Sequence, residues 1–156
     1  MIVFDILKVP SEPTSRLAID SDFDNVWQIF HENKEWFPHV RKSHIRNRID
    51  REQCIYQDEV VITFHKNAQN RMIGKDSNVR VEKNSYIIHQ LINRYKGNGK
   101  TKDVIKEFFD FAGTVYLTVR AENTRANAFY QKIGMKEVGY CNWSQGNMKG
   151  KVWKYG

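Results

Sequence analysis

The stretch from Tyr86 to Val119 constrains the fold more than any other part of the chain. Tyr86 to Ile92, YIIHQLI, is a largely apolar run of the kind found in a central strand. It leads into a turn with two glycines and three cations, Tyr95-Lys96-Gly97-Asn98-Gly99-Lys100-Thr101 with Lys102 after it. Asp103 to Phe111 then carries Val104, Ile105, Phe108, Phe109 and Phe111 at mixed helical spacing, and Gly113 ends it. Val115 to Val119 reads as the next strand. A strand, a crossover helix and a second strand put the two strands side by side and parallel, with a right-handed connection.

The flanking segments predict antiparallel additions to this unit. Ile2 to Val9 is a short β-like run stopped by Pro10. Asp22 is placed to cap a helix built on Val26, Trp27, Ile29 and Phe30, and Pro38 closes that region. Cys54 to Tyr56 and Val60 to Phe64 read as two strands joined through Gln57-Asp58-Glu59, as a hairpin or a bulged continuous strand. Residues 66–83 are polar and read as turn and loop. Asn123 to Ile133 predicts a second helix stopped by Gly134, and Lys136–Trp143 and Lys151–Tyr155 predict two last strands around a turn at 144–150. The expected class is mixed α/β or α+β: a central mixed sheet of six to seven strands, about four helices and one pair of parallel neighbours, with residues 1–156 as a single domain.

Composition narrows the setting. At 156 residues, 40% hydrophobic and 28% charged, the chain is expected to bury a core without disulfide or metal staples. No run approaches the length of a membrane span, and the N-terminus lacks the pattern of a signal peptide. Cys54 and Cys141 are too few for a disulfide framework and form no C-x-x-C, so no metal site and a reduced cytoplasmic location are expected. The net charge of +7 attracts polyanions without choosing among nucleic acid, nucleotide cofactors and acidic surfaces.

Two segments carry chemistry. At the glycine turn, backbone N–H groups and a helix start offer themselves to an anion, and Lys96, Lys100 and Lys102 add charge. A nucleotide-binding Walker loop fails, because its first glycine falls on Arg94; the dinucleotide fingerprint fails at Lys102. A zinc-protease string fails too, since His31-Glu32 meets Glu35 where histidine is needed. In the second segment, Asn123 caps a helix, and Ala126 and Tyr130 follow three and seven positions on, near one face. A structural helix explains the alanine and the terminal glycine, but it does not require the amide and the phenol.

These residues resemble the GCN5-related N-acetyltransferase (GNAT) superfamily. Asn123, Ala126 and Tyr130 match its N-x-x-A-x-x-x-Y pattern, and Gly134-Met135 stands for the following Gly-Phe. Tyr95 to Thr101 looks like its cofactor loop, with Lys96 for arginine and Thr101 for the last glycine; a register starting at Arg94 also fits. The resemblance covers residues 86–143.

It implies an acyltransferase that uses acetyl-CoA as co-substrate and passes the acetyl group to a primary amine of a small molecule or protein by direct attack on the thioester. The pantetheine arm would lie where the strand ending at Leu91 and Ile92 splays from its parallel neighbour. The diphosphate would rest on Lys96, Gly97, Asn98, Gly99, Lys100 and Thr101, and Asn123 would touch the arm. A backbone amide near Leu91 would face the oxyanion, and Tyr130 would be the general acid toward the leaving thiolate. For the base, His89 is the candidate, against the alternative of a buried, hydrogen-bonded core histidine; Glu59, His65 and water are weaker ones.

The basic segment 41–51, beside Trp36, Phe37 and His39, suggests an anionic acceptor or a nucleic-acid partner. A second function class therefore stands beside the first: a nucleic-acid-associated protein of this fold, either a base-modifying acyltransferase or a binding module without transfer. A solvated basic helix is the plainest explanation of that segment.

Overall fold

The computed structural model describes residues 16–143 and 148–156. The strand expected at Ile2–Val9 and part of the turn at 144–150 lie outside the described residues. Eight strands and four α-helices follow in order: α1 (Phe23–Glu32), α2 (Lys42–Asp50), β1 (Cys54–Gln57), β2 (Val60–Lys66), β3 (Arg71–Met72), β4 (Arg80–Val81), β5 (Tyr86–Asn93), α3 (Lys100–Ala112), β6 (Val115–Arg120), α4 (Thr124–Lys132), β7 (Lys136–Trp143) and β8 (Met148–Tyr155). Six strands form a mixed sheet in the order β1-β2-β5-β6-β8-β7, with β5 and β6 the parallel pair; β3 and β4 form a separate ladder. The expected mixed α/β class, strand number and helix number are met.

The chain divides into two compact units, residues 1–61 with 92–111 and residues 62–91 with 112–156. In the first, the apolar face of α1 (Val26, Ile29, Phe30) follows an i, i+3, i+4 pattern and packs with Ile45 and Ile49 of α2, Cys54 and Tyr56 of β1, Val61 and Ile92. Phe108 of α3 is fully buried, and such a ring contributes about 2–3 kcal/mol. The link between β1 and β2 is a two-residue hairpin turn in which Asp58 and Glu59 both have positive φ, +53° and +62°. In the second unit Ile73, Val79, Val81, Ile87, Tyr116, Cys141 and Val152 form the core. Both cysteines are buried free thiols.

Three expectations need correction. Residues 66–83 are not all loop, since Arg71–Met72 pairs with Arg80–Val81. Two-residue strands leave no periodicity to detect. Asp22 stands at the start of α1 but does not cap it; its carboxylate accepts from the Ile19 amide (2.9 Å) and from Arg16 (2.7 and 3.0 Å). Helix α3 starts at Lys100 rather than Asp103, directly after a turn in which the Asn98 side chain accepts from the Lys100 amide (3.0 Å).

Candidate active site

The glycine turn belongs to the first unit. Gly97 and Gly99 have φ of +85° and +81°, the left-handed region that disfavours side chains. A Cβ at either position would meet nothing within 4 Å, so backbone conformation and not crowding calls for glycine. The turn is braced from below by the buried Asn93. Its Nδ2 donates to Asn98 Oδ1 (2.7 Å) and Thr101 Oγ1 (2.9 Å), and its Oδ1 accepts from the Tyr95 amide (2.8 Å). Asn93 escaped the sequence reading; its one signal is a polar amide closing an apolar run.

The two cations at the entrance of the turn differ. The Lys96 ammonium donates to Asn33 Oδ1 (3.0 Å) just past α1. Arg94 is held between Glu32 (2.9 Å) and Glu59 (3.3 Å), and its amide donates to the Glu59 carbonyl (3.0 Å). The Arg94 bond holds the Glu32 carboxyl below its ordinary range. Tyr56 donates to Glu59 (2.6 Å), and burial together with that carboxylate pushes the phenol up to about 12. Glu59 is therefore engaged on both oxygens. Arg94 is committed to carboxylates, whereas Gly97, Asn98, Gly99 and Lys100 are exposed.

In the second unit β5 and β6 pair over three positions: Tyr86↔Val115, Ile87↔Tyr116 and Ile88↔Leu117. Both strands continue past that point, and β6 stays paired with β8 through Arg120↔Gly150. The parallel neighbours thus part after Ile88. The amide of Tyr86 donates toward β6, to the Thr114 carbonyl (2.9 Å), but the amide of Gln90 donates the other way, to the Thr63 hydroxyl on β2 (3.0 Å). In a regular strand, residues four apart point their amides to the same edge. β5 therefore carries an irregularity of the bulge type between these residues. Counting on from Gln90, the Leu91 amide is turned to the edge where β6 has left.

His89 sits in the irregular segment. It is exposed, not the buried core histidine offered as the alternative, because the local change of phase takes it off the apolar alternation. Its Nε2 lies 2.6 Å from Nδ1 of His65 on β2.

Tyr130 and Asn123 lie at opposite ends of α4. Asn123 Oδ1 accepts from the Ala126 amide (3.2 Å), the N-cap that the spacing predicted. Tyr130 is buried against Phe129 and Trp153, with ring centroids 5.8 and 6.3 Å away, and burial pushes its phenol up to about 12. The phenol is thus protonated at neutral pH, as a proton donor must be. Among the described residues its hydroxyl has no hydrogen-bond partner, and no fully buried side-chain oxygen or nitrogen lacks one. Asn127, missed in the sequence, is the anchor of this helix. Its Nδ2 donates to the carbonyls of Arg120, Ala121 and Asn123, and its Oδ1 accepts from Trp153 Nε1 (2.8 Å).

The basic segment is braced within the first unit. Lys42 lies over the Trp27 ring (5.8 Å) and Arg46 over Phe23 (4.1 Å); Arg46 also sits 3.6 Å from Asp20, and Arg48 donates to Gln53 (2.9 Å). Trp36, ahead of this segment, stays exposed.

This architecture is shared with known acetyltransferases. A GNAT-family acetyltransferase of Streptococcus agalactiae superposes with a TM-score of 0.69 at 12% identity, covering 89% of this chain and 92% of that one. NAA60 of Arabidopsis thaliana in complex with acetyl-CoA gives 0.61 at 15% identity, covering 90% and 96%. In sequence, the N-alpha-acetyltransferase RimI of Mycobacterium tuberculosis is 43% identical over 47 residues. That match spans 29% of this chain and 30% of the relative's length. No family model matches the chain. The fold is that of the GCN5-related N-acetyltransferases. Among the described residues no helix is long and apolar enough to cross a membrane.

Proposed function

We propose that the chain is an acetyl-CoA-dependent N-acetyltransferase, acting as one domain in the cytoplasm on a primary amine of a small molecule or protein. The observation that carries this reading is the parting of β5 from β6 after Ile88↔Leu117. An amide arm such as pantetheine can pair with the unpaired backbone of Leu91 and Ile92 as a substitute strand. The exposed turn at Lys96, Gly97, Asn98, Gly99, Lys100 and Thr101 takes the diphosphate on its amides and charges. Asn123 contacts the arm near the start of α4.

The chemistry then needs three roles. The amine must be neutral to attack the thioester, and His89 takes its proton. The tetrahedral oxyanion is met by the Leu91 amide, a fixed donor. As the C–S bond breaks, Tyr130 gives its proton to the departing thiolate, and the proton that the attacking nitrogen sheds on becoming an amide returns to the phenolate through water. RimI, similar over 47 residues, is an N-alpha-acetyltransferase, which favours an α-amine of a polypeptide as acceptor.

Titration calorimetry with acetyl-CoA, followed by acetylation of a pool of short peptides with free α-amines, tests the proposal. Saturable acetyl-CoA binding and acetylated peptide are expected. Absence of acetyl-CoA binding overturns it.

A further inference from the structure

We propose that His65 and His89 work as one proton-accepting unit, with His65 a positioning residue that fixes which nitrogen of His89 is basic. This rests on the functional reading above. His65 Nδ1 and His89 Nε2 are 2.6 Å apart, the ring planes lie within 19° of each other and the centroids are 4.8 Å apart. That centroid separation is close to the nitrogen–nitrogen distance plus two ring radii. The rings therefore meet edge to edge in nearly one plane, as an in-line hydrogen bond requires.

One proton must occupy that contact, since two lone pairs or two N–H groups facing each other at this distance repel. A neutral imidazole carries a single N–H. If the contact proton belongs to His89 Nε2, then His89 Nδ1 holds a lone pair and can act as a base. If it belongs to His65 Nδ1, then His89 Nδ1 carries the hydrogen, and the lone pair not in the contact lies on His65 Nε2 instead of on His89. Base function at His89 and acceptance by His65 are thus the same statement.

The proton balance closes. An N–H bond of the acceptor ammonium breaks and an Nδ1–H bond forms on His89. The Nε2 proton stays in the contact with His65 Nδ1, and the Nδ1 proton passes to water once the amine has reacted, which restores the starting tautomer. Lys66, next along β2, holds its ammonium over the Tyr86 ring (5.9 Å). The pair sits where the β5 ladder to β6 has just ended, after Ile88, which is where the reaction requires a base.

Long-range nitrogen–proton NMR on the full chain labelled at histidine reads the tautomer directly. The expected spectrum has His89 protonated on Nε2 with an unprotonated Nδ1 at pH 8; the opposite assignment overturns the proposal, and this readout needs no variant. On the free-α-amine peptide pool, His65→Phe is expected to lower kcat by about tenfold or more with KM for acetyl-CoA unchanged. His65→Asn keeps an oxygen acceptor near the Nδ1 position and is expected to restore most of the rate. A wild-type chain that binds and turns over acetyl-CoA while His65→Phe keeps full kcat sinks the pair alone. A wild-type chain with no acetyl-CoA binding sinks the functional reading and the pair together.

Discussion

Trp153 Nε1 donates to Asn127 Oδ1 across 2.8 Å, tying the middle of α4 to β8. The other end of the same carboxamide donates to three carbonyls around the end of β6. Asn127→Leu keeps the volume but leaves the indole N–H and these carbonyls without their partner. The expected loss is about 3 kcal/mol, a fall in Tm of roughly 10 °C by calorimetry. An unchanged Tm would show that water replaces the amide at no cost.

Tyr130→Phe removes a hydroxyl that bonds to no described residue, so stability and acetyl-CoA affinity are expected to hold. Turnover is expected to fall by about a hundredfold, the usual weight of a general acid. Single-turnover rates beside calorimetric Kd values separate the two quantities. Equal loss in both removes Tyr130 from the acid role.

Gly99→Val tests the diphosphate turn. Valine at φ +81° is strained by about 1–2 kcal/mol, yet its Cβ meets nothing within 4 Å. The folded chain is therefore expected to persist, while acetyl-CoA binding weakens at least about tenfold, because the branched side chain stands where phosphate oxygens approach the amides. Undiminished affinity in titration calorimetry would place the diphosphate elsewhere.

Asp22 supplies a pH signature. Its carboxyl is held below the ordinary range by the bond from Arg16 and then by the Ile19 amide. The folded value lies below the unfolded value of about 3.9. The stabilisation is therefore present above that pH and is lost as pH falls through the lower folded value. Asp22→Asn is expected to cost about 1 kcal/mol at pH 7 in urea melts, and the gap to wild type should narrow as pH falls through the lowered folded value. A gap that persists in acid would assign the loss to packing.

The sequence carried the second half of the fold well, because its elements are marked by strong signals: the apolar run at Tyr86–Ile92, the glycine turn, and the Asn123–Ala126–Tyr130 spacing. It carried less where a partner distant along the chain decides the outcome. Nothing local to His89 announces His65, twenty-four positions away, or the strand irregularity that exposes it. Asn93 and Asn127 look like ordinary polar residues until the groups they satisfy are placed around them. The short ladder at Arg71–Met72 and Arg80–Val81 is too brief for any alternation to register. The basic segment shows its charge plainly in the sequence, whereas the rings of Trp27 and Phe23 under Lys42 and Arg46 come from another helix and left no sign beside it.

The three-residue ladder between β5 and β6 has one more consequence. An interior strand normally hides its edges from water, and prying one loose sacrifices several bonds before any guest can enter. Here β6 is held on its far side by β8 along its whole length while its ladder to β5 stops after three pairs, so no ladder between them has to be broken beyond Ile88. A guest arriving there displaces solvent and not a neighbouring strand. Deuterium uptake at Leu91 should accordingly be fast in the free chain and should slow once the seam is filled.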